Sequence, residues 1–311
     1  MPKLLITGTA GFCMNNLVRR AINDKQPYSF VSIDRINSDS NVIYSNKNHI
    51  FHIADITDAH IMDKIFQFEA PDVVIHGADE SNMSNTSSAI SSNVLGTQII
   101  IDNCLKYKVK KLIFISTDKV YGQLLTETAA PWKETDPTNP RNLYGASKTA
   151  GELLVKTAYQ EHGLIYNIVR LSNMYGPRQS SHRLVAKAIK NILENQKLPL
   201  YGSGLNMREW THLFDACTAI LTVLNKGLPN ETYNISSNQE YTNIEVVQEI
   251  CNVLESGHGL AEETEIRINP DFRRSMDSSK IKELGWKPSY KFKESIADVC
   301  NWYKMNQWFL K

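Results

Sequence analysis

Short runs of aliphatic and β-branched residues alternate with stretches of helical spacing through the first half of the chain. Residues 3–6, 30–34, 50–53, 73–76 and 111–116 each predict a buried strand, and residues 15–22, 59–66 and 89–107 predict helices between or after them. Strands that are apolar throughout, rather than at alternate positions, are covered on both faces, and their alternation with helices makes the sheet parallel. Residues 165–171 read as a sixth strand after a long helix over 141–163. The pattern predicts a doubly wound α/β sheet.

Beyond residue 171 the rhythm changes. Helical spacing covers 183–194, 214–224, 243–255 and 292–305, with short strands at 198–201, 232–235 and 266–268, separated by loops such as Tyr201-Gly-Ser-Gly204 and Ser256-Gly-His-Gly259. This divides the chain into a main domain over 1–171, to which 210–235 returns, and a smaller α/β lobe made of 172–209 and 236–311. No repeat, low-complexity tract or long linker separates them, so the lobes are expected to share a tight interface.

Composition narrows the function. In 311 residues, 34 lysines and arginines nearly balance 33 acidic residues, for a net charge of +1. Nothing in this balance suits a nucleic acid or a membrane surface, and an anionic ligand has to be met by a few placed cations. Leu4-Leu5-Ile6 is too short for a signal-peptide core, and no apolar run approaches the roughly 20 residues that span a bilayer. The five cysteines are scattered without a C-x-x-C pair, which suits reduced thiols in a cytoplasmic protein. Among the histidines, His49 and His52 come nearest to metal spacing, with no carboxylate placed to complete a site, so no metal is expected.

The first strand runs into Thr7-Gly8-Thr9-Ala10-Gly11-Phe12-Cys13-Met14 and then a helix. Glycines at such a turn let the backbone approach a pyrophosphate, which the helix N-terminus attracts through its free N–H groups. Gly8, Gly11, Phe12 and Cys13 are therefore candidate dinucleotide contacts, and Met14 stands where a third glycine is usual. Asp34 ends the second strand, where a carboxylate accepts the adenosine ribose hydroxyls and repels a 2′-phosphate. That favours NAD over NADP, although Arg35 follows it. Asp55, beside Ile56 at the end of the third strand, either lies near the adenine or caps the next helix.

Two clusters carry chemistry. Ser116-Thr117-Asp118-Lys119-Val120-Tyr121-Gly122 sits at the carboxyl end of the fifth strand, where open α/β sheets bind ligands. Tyr144-Gly-Ala-Ser-Lys148 opens the following helix and puts a phenol and an amine on one helical face. The lysine charge is expected to lower the phenol's pKa, so that Tyr144 takes a proton from an alcohol while NAD accepts hydride.

With these clusters the chain resembles the extended short-chain dehydrogenase/reductase family, and within it the nucleotide-sugar 4,6-dehydratases. The resemblance covers nearly the whole length and includes His76-Gly-Ala-Asp-Glu-Ser81, Asn93-Val-Leu-Gly96-Thr97, Ser116-Thr-Asp118, Asn139-Pro-Arg-Asn-Leu-Tyr-Gly-Ala-Ser-Lys148, Arg170-Leu-Ser-Asn173-Met-Tyr-Gly-Pro177, Tyr201-Gly-Ser-Gly-Leu-Asn-Met-Arg208-Glu-Trp210 and Asp277-Ser-Ser-Lys-Ile-Lys-Glu-Leu-Gly-Trp286. It implies a Rossmann domain with bound NAD, contacted also by Asn93, Tyr144 and Lys148. It further implies a C-terminal lobe that holds the nucleotide diphosphate. Arg183, Arg208 and Arg273 fall where resembling enzymes hold the diphosphate and ribose, Asn173 and Ser81 near the sugar, and Tyr201 near the base. Asn82 stands where a histidine is common, and the lead-in to Arg273 is reduced to Asn269-Pro-Asp-Phe272.

The resemblance also implies a mechanism. Tyr144, assisted by Thr117, removes the O4 proton as C4 is oxidised; Lys119 takes the C5 proton; Asp118 protonates O6, which leaves as water; hydride returns to C6 and a proton to C5, on the opposite face if C5 is inverted. An adjacent Asp118/Lys119 ion pair would be the wrong protonation state for both roles, so the closed site has to favour the neutral forms. Enzymes acting on dTDP- or UDP-glucose look like Thr-Asp-Glu at this point, whereas Thr117-Asp118-Lys119 is similar to UDP-N-acetylglucosamine 4,6-dehydratases, some of which invert C5. The expectation is a UDP-N-acetylglucosamine 4,6-dehydratase, with or without C5 inversion. The alternative is a UDP- or dTDP-glucose 4,6-dehydratase, and behind it stand a 4-epimerase and a non-catalytic NAD-sensing module. The helices over 89–107 and 141–163 are expected to pair across a two-fold axis as a four-helix bundle, making a homodimer.

Overall fold

The computed structural model describes residues 1–36, 46–81, 86–201, 203–255, 261–264 and 271–310, with backbone alone at Pro199, Tyr201 and 261–264. The strand expected at 266–268 and the loop at 256–259 lie outside the described residues.

The chain begins β1 (Lys3–Thr7), α1 (Phe12–Asn23), β2 (Ser29–Asp34), β3 (His49–Ile53), α2 (Ala59–Glu69) and β4 (Val73–His76). It continues through α3 (Thr86–Ile90), a π-helical turn over Ser91–Gly96, α4 (Thr97–Lys106), β5 (Lys111–Thr117), a 3-10 turn over Asp118–Val120, α5 (Leu143–His162) and β6 (Tyr166–Leu171). The second half comprises β7 (Asn173–Tyr175), α6 (Leu184–Leu193), β8 (Leu198–Tyr201), β9 (Met207–His212), α7 (Leu213–Lys226), β10 (Glu231–Ile235), β11 (Glu240–Thr242), α8 (Asn243–Val253), β12 (Ala261–Thr264), β13 (Arg273–Arg274), α9 (Ser279–Glu283) and α10 (Phe292–Met305).

Seven strands form one parallel sheet in the order β10-β6-β5-β4-β1-β2-β3. Successive residues of β1 serve opposite faces. Leu4 and Ile6 join Leu17 and Ala21 of α1 and Leu213 and Ile220 of α7 in one core, while Leu5 joins Met62, Phe66, Ile100 and Val155 in another. The strand order reverses between β1 and β4, so the crevice at their carboxyl ends is where such sheets take ligands. This is a Rossmann-type fold. Among the described residues, no helix is long and apolar enough to cross a membrane.

Two expectations need correction. β3 is not a buried strand: it is the sheet edge, with Ile50 48% and Ile53 68% exposed. The helix expected over 89–107 is not continuous α-helix, because residues 91–96 widen into a π turn. The backbone of Gly96 there lies so close to Ile56 that a Cβ would stand 2.6 Å from Ile56 Cδ1. Single π turns recur at functional sites, and this one carries Asn93.

The smaller lobe is built on a four-stranded sheet, β11-β9-β13 with β7 also on β9. Periodicity missed β9 because its buried positions include Arg208, Glu209, Thr211 and His212, which make no apolar run. Tyr175, Trp210, Phe292, Ile296 and Tyr303 pack the lobe's core.

One buried ion pair positions the helix that bears Tyr144 and Lys148. Glu152 accepts from Ser116 Oγ of β5 at 2.6 Å and from Arg170 Nε and Nη2 of β6 at 2.9 and 2.6 Å, with both charged side chains almost wholly buried. Burial works against the Arg170 charge, but the hydrogen bonds and charge of Glu152 outweigh it and raise its pKa. In its first turn α5 presses on the 3-10 turn: a Cβ at Gly145 would meet the Lys119 carbonyl oxygen at 2.6 Å. Removing one partner of a buried pair strands the other charge. Glu152→Ala should therefore cost about 3–5 kcal/mol of stability, measured by urea denaturation, and a loss below about 1 kcal/mol would show that the pair does not hold α5.

Candidate active site

Thr117 closes β5, and its side chain accepts from the Lys119 amide at the head of the 3-10 turn. This turn sets Asp118 and Lys119 facing α5. Asn142 caps α5 by accepting from the Gly145 amide at 2.8 Å, which starts the helix so that Tyr144 sits in its first turn and Lys148 one turn on.

Tyr144, Lys148, Thr117, Asp118 and Lys119 come together, but not in the pairing expected. Lys119 does not pair with Asp118. Its Nζ lies 4.8 Å from the centre of the Tyr144 ring, and among the described residues it makes no ion pair. Burial, then the nearby Arg274 charge, lowers its pKa to about 8. Asp118, 5% exposed, is met by Thr117 Oγ1 at 3.0 Å and by Arg274 Nε at 3.1 Å, a charge contact whose N–H does not aim along the line between the atoms. Arg274 also reaches Asp271 at 3.2 Å and Asn173 Oδ1 at 3.3 Å.

The expected lowering of the Tyr144 pKa is reversed in this arrangement. Tyr144 Oη donates to Asp79 Oδ2 at 2.6 Å, and Lys148 Nζ lies 3.6 Å from the same oxygen. Burial, with the charge and hydrogen bond of Asp79, raises the phenol well above its usual value. Burial lowers Lys148 against the opposing charges of Asp79 and Glu152. Asp79 is the third member that the Tyr-Lys spacing could not reveal.

The loop carrying Asp79 is anchored from below. Thr97 Oγ1 donates its single hydrogen to the Asn93 carbonyl, so it accepts from His76 Nε2 at 3.1 Å, which leaves His76 Nδ1 to accept from Thr7 Oγ1 at 2.7 Å. Thr7 Oγ1 in turn accepts from the Gly77 and Ala78 amides. Burial, with Lys148 nearby, pushes the His76 pKa down to about 3, keeping the ring neutral. Asn93, expected to contact the cofactor, is spent here: Oδ1 accepts from the Glu80 amide, and Nδ2 donates to the Glu80 carbonyl and to Ser147 Oγ.

The dinucleotide cradle fits the group it is expected to hold. Gly8 has φ +83°, and a Cβ would stand 2.7 Å from the Gly77 and Ala78 backbone. α1 starts at Gly11 with no side-chain cap, so the amides of Phe12 and Cys13 head an uncapped helix. Met14 tucks against Gly77, where a Cβ would come within 2.6 Å of its side chain. Asp34 accepts from the Ala10 and Arg35 amides, both at 2.7 Å; burial pushes its pKa up against those bonds. Arg35 reaches Asp55 at 3.4 Å and Glu80 at 3.7 Å. Asp55 closes its own turn by accepting from the Thr57 amide and hydroxyl, while Asp58 caps α2. The Ile56 side chain is core, 5% exposed.

Of the arginines expected to hold the diphosphate, Arg183 lies nearest the cluster, with Nη2 donating to Ser81 Oγ at 2.7 Å. Arg273 is not brought there. It grips Glu240 with Nε and Nη2 and the Ala129 carbonyl with Nη1. Neighbours on a strand face opposite ways, so its partner Arg274 is the one that meets Asp118. Register sets Arg274 beside Arg208, whose guanidinium holds the carbonyls of Met207, Asp271 and Phe272. Two adjacent arginines on an unrecognised strand gave no signal as to which faced the site. Asp79 had one: an ionisable residue just past the carboxyl end of a strand. Asn82 lies outside the described residues, as does the side chain of Tyr201.

Glycine loop, acidic end of β2 and Tyr-Lys pair together define an NAD-dependent enzyme of the short-chain dehydrogenase kind. Residues 4–236 match the model of the NAD dependent epimerase/dehydratase family, and the chain belongs to that family. It is similar to the dTDP-glucose 4,6-dehydratase of Xanthomonas campestris pv. campestris, 35% identical over 335 residues, covering 99% of this chain and 94% of that one. Among solved structures it is similar to a dTDP-glucose 4,6-dehydratase from Bacillus anthracis in complex with NAD, with TM-score 0.92, 31% identity and coverage of 100% and 99%. It is similar also to a UDP-glucose 4-epimerase from Thermotoga maritima with UDP-glucose, with TM-score 0.91, 26% identity and coverage of 98% and 99%. Gly8→Ala should weaken NAD binding at least about tenfold, followed by quenching of tryptophan fluorescence; unchanged affinity would mean that the loop does not cradle the dinucleotide.

Proposed function

We propose that this enzyme is a nucleotide-sugar 4,6-dehydratase that removes water from dTDP-glucose to leave a 4-keto-6-deoxy sugar. The observation that carries the dehydratase part of this reading is Lys119, a half-buried amine set over the ring of Tyr144 that makes no ion pair among the described residues. An epimerase uses the phenol and the dinucleotide but needs no second acid and base beside them. Full-length similarity to dTDP-glucose 4,6-dehydratases supports the glucose nucleotide, the alternative in the sequence reading, over UDP-N-acetylglucosamine. Inversion at C5 is not part of this proposal.

Bound NAD supplies reversible hydride uptake from C4 and return to C6. Tyr144 receives the O4 proton. The ketone then acidifies the C5–H bond; Lys119 removes that proton, and a proton returns to C5 when hydride is delivered to C6. Asp118 delivers a proton to O6, for which it has to shed one of its two partners; Thr117 and Arg274 hold it at similar distances. Arg183 and Arg274 are the cations for the diphosphate, with Arg208 beside them and Ser81 and Asn173 on the sugar side.

A base has to be unprotonated to act. With Lys119 lowered to about 8, elimination should rise with pH through that value and level off above it. Lys119→Ala should still reduce NAD in the presence of dTDP-glucose yet form product at least about 100-fold more slowly, read by proton NMR. Product at the wild-type rate would exclude Lys119 as the base, and a product of unchanged mass would identify an epimerase.

The enzyme acts in the cytoplasm as a homodimer in this reading. Leu95 on the π turn and Leu153 on α5 are 52% and 59% exposed, and pairing of these helices across a two-fold axis as a four-helix bundle would cover them. Leu153→Glu should then sediment as a monomer at micromolar concentration; a wild-type protein that is itself monomeric would contradict the bundle.

A further inference from the structure

Asp79 stands at the centre of the cluster with no part in the steps above. Its backbone is pinned on both sides. The Ala78 amide donates to Thr7 Oγ1 at 3.1 Å, and the Glu80 amide and carbonyl are both held by Asn93, at 2.7 and 3.0 Å. Only side-chain rotation remains, and it places Oδ2 2.6 Å from Tyr144 Oη and 3.6 Å from Lys148 Nζ. Glu152, the other carboxylate near Lys148, is already committed to Arg170 and Ser116. Asp79 is therefore the countercharge that Lys148 meets.

Among the described residues, charged groups from several elements surround Asp79. Tyr144 and Lys148 face it from α5 and Lys119 from the 3-10 turn, while Asp118 and Arg183 act on the Tyr144 phenol beside it. Glu80 follows it in the chain, with Arg35 reaching back to Glu80. A bare phenolate between Asp79 and Asp118 in a buried site is the least favourable state available to Tyr144. A route that never forms one is favoured.

We propose that Asp79 is a positioning residue that takes up the phenolic proton of Tyr144 as Tyr144 accepts the O4 proton of the sugar, making the tyrosine a relay. The O4–H bond breaks and a new Oη–H bond forms on Tyr144. The original Oη–H bond breaks and an O–H bond forms on Asp79 Oδ2. The electron pair of the C4–H bond leaves as hydride to the nicotinamide dinucleotide. The Asp79 side chain is 25% exposed, so its proton can pass on to water, balancing the one that Asp118 spends on O6. The proposal rests on the dehydratase reading only for the identity of the sugar.

Asp79→Asn and Asp79→Ala test it, the first keeping shape and a hydrogen-bonding group while unable to store the proton. The direct readout is the tyrosinate absorbance of the full chain without added NAD or substrate, taken as a difference against Tyr144→Phe in each background. The charge and hydrogen bond of Asp79 both raise the phenol, so with the carboxylate gone the Tyr144 titration should fall by about one pH unit or more in both variants. The second readout is the pH profile of NAD reduction by dTDP-xylose, which lacks C6 and stops after C4 oxidation. In the variants only an ionised phenol can accept the O4 proton, so the acid limb should move to higher pH by about one unit or more. A Tyr144 titration unchanged in both variants, or an acid limb that stays in place, would overturn the relay. Failure of the wild type to oxidise dTDP-xylose would count against the proposed sugar, while the titration would still decide the role of Asp79.

Discussion

The site depends on a buried clamp between α5 and the two strands beneath it. Tyr144, Lys148 and Glu152 recur every fourth residue along one helical face. The last of them is locked to Ser116 on β5 and Arg170 on β6. Because Ser116 directly precedes Thr117-Asp118-Lys119, the same contact fixes the helix to the strand end that carries the other catalytic candidates. A salt bridge this deeply buried gives little net stability over an apolar replacement. What it supplies is registry: the phenol and the amine of Lys119 are held at one height relative to each other.

Charge in the cluster is arranged by separate partners rather than by one ion-pair chain. Asp118 is met by Arg274, Lys148 by Asp79, and Glu152 by Arg170. Among the described residues Lys119 makes no ion pair, and burial, with Arg274 nearby, moves it toward the neutral form. A base that titrates near the pH at which it works is effective because both of its forms are within reach. The Asp118-Lys119 ion pair expected from their adjacency does not form. Lys119 turns to the Tyr144 ring and is moved toward its neutral form, whereas Asp118 meets Arg274 and still has to carry a proton against that charge to act as the acid.

Much of this was legible along the chain. Every strand of the main sheet and the glycine turn could be placed to within a residue or a few, because central parallel strands are largely apolar and the turn needs residues that tolerate close backbone approach. The burial expected of the edge strand β3 was wrong. The lobe was less legible. β9 is buried but polar, so it made no apolar run, and the strand that holds Arg273 and Arg274 is only two residues long. Asn93 lies in a family motif that implied a cofactor contact, and that motif gave no sign of the tie its side chain makes between the Asp79 loop and α5.

What the order of residues determined was local: where helices start, which face of α5 carries the phenol and the amine, and that an uncapped helix follows a glycine turn. These features follow from spacing, which backbone geometry converts directly into direction. Only the tertiary structure decided which charge meets which. Asp79 is far in sequence from Tyr144, and Arg274 from Asp118, and their contacts come from strand order and from the packing of the lobe against the sheet. Proton affinities depend on such contacts, because they reflect burial and neighbouring charge rather than residue type. The direction in which Tyr144 and Lys119 shift therefore had to come from the folded arrangement.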